Sequence, residues 1–189
     1  MLSGAGGSAL LELYYKPKRD RWRAAALLLS EVLLNTELAL LQAMTRFEDP
    51  KKLPADFSFS LMAWDAVAQR LSELPPDLLK RILLLYNRYR ACNHAVVLHA
   101  KAADERTSLP PKNGEERRKQ LTVFINGTID VFDTTLDNTL EDARDILPQL
   151  LQLGGGRRRP REAVESYRLR VEQYFGERDR RRQMLERTA

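Results

Sequence analysis

Apolar residues return every three or four positions over most of this chain, which is the period of a helix that buries one face. The first such stretch runs from about Asp20 to Phe47. Leu29, Leu33, Leu40, Met44 and Phe47 fall on one side of it, and Leu28 and Val32 widen that side. Asp49–Pro50 and Pro54 stop the pattern. Ser58 or Ser60 then stands where an N-cap would open a second helix, in which Leu61, Trp64, Val67, Leu71 and Leu74 keep helical spacing as far as Leu74.

Pro75–Pro76–Asp77 breaks and restarts the chain, since proline suits a first helical turn. The third helix is predicted to reach about Asp104, with Leu78, Ile82, Leu85, Tyr89, Cys92 and Val96 inward. After a polar loop, Asn113 and Glu116 resemble a capping box for a fourth helix. Its buried face reads Leu121, Ile125, Phe132, Leu136, Leu140, Ala143, Leu147 and Leu150, and Pro148 is expected to kink or end it. Gly154–Gly155–Gly156 breaks the chain again, and a last helix follows from about Glu162. The expected fold is all-α: an antiparallel four-helix bundle over 20–153 and an Arg-rich helix over 154–189, preceded by an apolar and basic segment over 1–19.

Charge separates the last segment from the rest. Residues 1–156 carry 20 Lys and Arg against 20 Asp and Glu, whereas residues 157–189 carry 11 Arg against 6 acids. The whole excess of +5 therefore belongs to the tail. A single cysteine, Cys92, excludes an internal disulfide and a multi-thiolate zinc site.

No residue set assembles into a known catalytic or cofactor-binding pattern. Asp133, Asp137, Glu141 and Asp145 recur every four residues on the fourth helix, but the paired Glu-x-x-His ligands of helical di-metal sites are missing, and the expected reading is a solvated acidic face that arginines can meet. Cys92 and His94 stand two apart on a helix and so point in opposite directions, which a Cys–His nucleophile pair does not tolerate. The sequon Asn126–Gly127–Thr128 lies within a predicted helix, where Gly127 would mark close approach of a neighbouring helix. Asn35 and Asn93 interrupt apolar faces. If buried, they need partners and would fix helix register. The reading is of a protein that is not an enzyme and needs neither metal nor cofactor.

Two segments carry functional expectations. Residues 2–15 are apolar and small, and about 21 Å of helix is too short to span a hydrocarbon core of roughly 30 Å. They end in Tyr14 and Tyr15, followed by Lys16, Lys18, Arg19, Arg21, Trp22 and Arg23, the order of features found at the cytoplasmic edge of a membrane helix. In the tail, Arg157, Arg158, Arg159, Arg161, Arg168 and Arg170 surround Tyr167 and Tyr174, a combination fitted to an anionic partner.

The opening LLELYYKPKRDRWRAAALLLSEVLLN, the Trp64 helix, LSELPPDLLKRILLLYNRY and the helix after Asn113 together resemble bacterial proteins of uncharacterised function. These have one N-terminal membrane anchor and a small helical cytoplasmic domain. The likeness covers roughly residues 8–150, without a diagnostic motif; here the anchor is short, and the tail lies outside the match. It implies a cytoplasmic location, peripheral to or anchored at the inner membrane. The function expected is that of an interaction or scaffold module with a protein partner at an anionic membrane surface. A nucleic-acid-binding accessory using the Arg-rich helix is the alternative.

Overall fold

The computed structural model describes residues 5–50, 53–54, 56–110, 114–154 and 158–188, without the side chains of residues 5–15, 17, 69, 70, 158, 185 and 188. Among the described residues all regular structure is helical. The elements are α1 (Ala5–Glu48), α2 (Met62–Val67), a 3₁₀ segment (Ala68–Glu73), α3 (Pro76–Ser108), α4 (Glu115–Leu153) and α5 (Arg158–Thr188).

α1 begins far earlier than Asp20 and passes through Lys16–Pro17 without a break, so the expected boundary after residue 19 does not interrupt the helix. Its inward side is Ala24, Ala25, Leu28, Leu29, Val32, Ala39, Leu40 and Ala43. Met44 does not join them; at 56% exposure it belongs to the outward face. The expected inward residues of α3 and α4 are all buried. α3 lies along α4 with Arg81 near Asp145, Arg88 near Asp142, and His99 near Thr128. Numbering thus rises along one helix as it falls along the other.

Pro148 does not end α4, which continues to Leu153. The residue is exposed, so water can take the carbonyl left without its usual donor one turn earlier. Gly127 does not mark a close approach, since a Cβ built there meets nothing within 4 Å. The close approach lies instead at Gly154, whose built Cβ would stand 3.5 Å from the backbone of Ala26. The expected capping residue Asn113 lies outside the described residues; Gly114 is the N-cap of α4 and makes no side-chain cap bond.

The main departure concerns residues 56–61. No helix opens at Ser58 or Ser60. The chain runs without helix to Leu61, and only a short α2 and the 3₁₀ segment follow. Phe57 and Phe59 are buried, Ser58 is exposed and Ser60 is half-buried, an alternation proper to extended chain. This strap drives its rings into the core. Phe132 meets Phe57, Phe57 meets Phe59, Phe59 meets Tyr89, Tyr89 meets Tyr86 and Tyr86 meets Trp64, with centroids 4.6–5.6 Å apart. Tilted and edge-on contacts of this kind add to the burial of the rings themselves.

Phe59→Ala and Leu136→Ala each remove a side chain at most 2% exposed. Each should lower stability by about 3–5 and 2–5 kcal/mol respectively. Met62→Ala, at a position 80% exposed, should change it by less than about 0.5 kcal/mol. Urea unfolding followed by circular dichroism measures all three.

Candidate interaction surfaces and a buried polar cluster

Apolar walls on both sides leave the strap's peptide groups needing partners, and two asparagines supply them. Asn93 on α3 accepts from the Phe59 N–H at 2.7 Å and donates to the Phe59 carbonyl at 3.0 Å. Asn35 on α1 does the same for Ser60, at 2.9 and 2.8 Å. Each carboxamide thus stands in for a neighbouring strand. Asn35 is fully buried, and both side chains fix the strap against its helices, where the sequence suggested that they set the register of one helix on another.

Glu31, one turn before Asn35, is 7% exposed. Its carboxylate accepts from Ser60 Oγ at 2.6 Å, Tyr86 Oη at 2.6 Å, Ala63 N at 2.9 Å and Trp64 N at 3.3 Å. The last two are free N–H groups in the first turn of α2, whose own cap position, Leu61, has no side chain able to bond them. Glu31 therefore caps α2 from another helix. Burial alone would raise this carboxyl, but the bonds from Ser60, Tyr86, Ala63 and Trp64 outweigh burial and hold it below the ordinary carboxylate range. The Tyr86 hydroxyl, buried beside it, is pushed well above its usual value.

The acids of α4 meet arginines. Arg46 reaches both oxygens of Asp133 at 2.7 Å, Arg178 reaches Asp137 at 2.8 Å, and Arg88 reaches Asp142 at 2.7 Å. Cys92 is fully buried, and burial with the nearby Asp133 carboxylate pushes its thiol up to about 12. His94 is exposed and on another side of α3, so the two do not form a pair.

α5 packs along the body of the protein. Val164, Tyr167, Val171 and Tyr174 are its buried stripe. Tyr167 donates to the Leu140 carbonyl at 3.1 Å, and Tyr174 donates to Asp137 at 2.7 Å while stacking on Phe47 at 5.2 Å. Both rings face inward. Arg170 pairs with Glu37 of α1, and Arg168 with Glu165 and Glu172 of its own helix. Arg159 and Arg161 are exposed. Arg157, and the side chain of Arg158, lie outside the described residues. Arg178 ties α5 to the acidic row and also lies over the Phe175 ring at 4.7 Å.

Toward the N-terminus, Lys16, Lys18, Arg19 and Arg23 are exposed, Arg21 is intermediate and Trp22 is 37% exposed. The side chains of Tyr14 and Tyr15 lie outside the described residues, although both residues are helical. Among described side chains of α1, burial begins only at Ala24. By length and composition Lys18–Glu48 could cross a membrane, at a mean hydropathy of 1.7, yet 56% of its apolar window is buried within the protein. On its outward side Leu27, Leu34 and Leu41 are each at least half exposed. Spacing by seven was the available signal for that row, hidden in a helix where nearly every other residue is also apolar.

Glu31→Gln should cost about 1–3 kcal/mol, because one amide oxygen cannot serve four donors. A lowered folded pKa means that the carboxylate's contribution is complete above the ordinary carboxylate range and is lost as pH falls through the folded value. Urea midpoints measured from pH 7 to pH 3 should therefore show the gap between wild type and variant closing at the acid end. No family model, curated protein or solved structure matches this chain.

Proposed function

We propose that this chain is a non-enzymatic helical interaction module that attaches to an anionic, cytoplasm-facing bacterial membrane surface through the first turns of α1. The long helices α1, α3, α4 and α5, with α4 running against the other three, stay in water as a scaffold for a protein partner. The observation that carries this reading is the continuity of α1. One unbroken helix joins the apolar residues from Ala5, the five cations of Lys16–Arg23, and the buried residues that begin at Ala24. Residues 5–15 amount to about 16 Å of helix, enough to enter one leaflet but not to cross. Exposed Lys16, Lys18, Arg19 and Arg23 would then lie at the headgroups, each contributing about 1 kcal/mol near an anionic surface.

The nucleic-acid reading of α5 has less support. The tyrosines that would stack on bases are turned into the protein, and the arginines beside them are largely engaged with carboxylates.

Flotation tests the proposal. Full-length protein should rise with vesicles rich in anionic lipid and much less with neutral ones. Changing Lys16, Lys18 and Arg19 together to Glu should abolish most of that recovery while circular dichroism stays unchanged. Protein that remains in the soluble fraction on anionic vesicles at low salt would overturn the membrane attachment.

A further inference from the structure

α1 has a face opposite its buried one, and that face is ordered in its own right. Leu27, Leu34 and Leu41 stand seven residues apart at 50%, 56% and 59% exposure. Ser30, Glu37 and Met44 fall between them in steps of three and four, Arg23 opens the row, and Glu48 closes it. Alternating steps of four and three are the spacing by which one helix lays a seam against another. A bilayer asks for no such period.

We infer that a second copy of this chain covers the row, with the two α1 helices lying antiparallel about a twofold axis between Leu34 and Glu37. This register brings Leu27 against Met44 of the other copy, Ser30 against Leu41, Arg23 against Glu48, and at the axis Leu34 against Glu37, whose carboxylate is already engaged by Arg170 of its own chain. Charge selects the direction. Parallel pairing would oppose Arg23 to Arg23 and Glu48 to Glu48, whereas antiparallel pairing sets each cation against an acid. The symmetry is closed, since the same patch serves both partners.

The surroundings have room for a helix. Between α1 and α5 lies a groove of about 870 Å³ with Leu34, Leu38, Leu41 and Met44 among its lining residues and Arg180 and Arg181 on the α5 side. From Arg23 to Glu48 the row is about 38 Å long, and with the adjoining ridge of α5 about 20 Å wide. That gives roughly 760 Å², close to the 800 Å² per partner of a stable interface. Pairing through the row does not rest on the membrane reading: residues 5–15 lie beyond it and leave the antiparallel pair at opposite ends, so only one copy of a pair can enter a given membrane surface by them.

Sedimentation equilibrium of the full chain at micromolar concentration should give a dimer. Leu34→Glu with Leu41→Glu, both on exposed positions, should weaken it by at least about a hundredfold while leaving helix content unchanged. Arg23→Glu or Glu48→Arg alone should each weaken the dimer, and the two together should restore it. Mixing a Leu27→Cys chain with a Met44→Cys chain should give a disulfide-linked pair that neither forms alone, since Cys92 is buried. A monomer at these concentrations, a dimer that survives Leu34→Glu with Leu41→Glu, or cross-linking of Leu27→Cys chains to one another would overturn the inference. So would monomeric protein whose vesicle flotation is lost on changing Leu34 and Leu41, which would assign the row to lipid.

Discussion

One buried carboxylate holds together parts of the chain that otherwise have little reason to meet. Glu31 sits on α1, but its four donors come from the strap, from the start of α2 and from α3. All four are neutral, so the site works by saturating the oxygens with hydrogen bonds and not by cancelling the charge. Losing any one donor leaves part of a buried anion unsolvated, which couples the donors to one another. The aromatic run from Phe132 to Trp64 depends on that coupling, because Phe57 and Phe59 reach it only while the strap is held down.

A second set of charges serves α5. Its stripe of Val164, Tyr167, Val171 and Tyr174 is narrow, and mean burial of so charged a helix is low. Arg178 on Asp137, Arg170 on Glu37 and Arg181 over Phe47 fix its direction and height against α1 and α4. Pairs this exposed are weak one at a time. Their value here is geometric, since the tyrosine hydroxyls reach Leu140 and Asp137 in one register only.

Helical periodicity made α3 and α4 legible down to individual buried residues, because each buries one broad stripe and exposes the rest. α1 was harder to read. Leucines lie all round it, so period alone assigned Met44 to the core and hid the outward row. The strap was missed for a different reason. Phe57-Ser58-Phe59-Ser60 alternates with period two, but two serines before an apolar run also look like a helix start, and the capping group was a glutamate more than thirty residues away. Asn35 and Asn93 were recognisable as residues in need of partners; that both would grip adjacent peptide units of one segment depended on tertiary structure. In the acidic row, Asp133, Asp137 and Asp145 meet Arg46, Arg178 and Arg81, which arrive from three different helices.

Because Asn93 reads the peptide of Phe59 and Asn35 reads that of Ser60, the strap works as a ruler that counts residues one by one. Adding or removing a single residue between Phe57 and Leu61 would exchange a phenylalanine for a serine at a position walled by rings, and would carry Ser60 away from Glu31. Such a change cannot be absorbed as slack, unlike an extra residue in an ordinary surface turn. The length of this segment is therefore as much a part of the fold's specification as the identity of any residue in it.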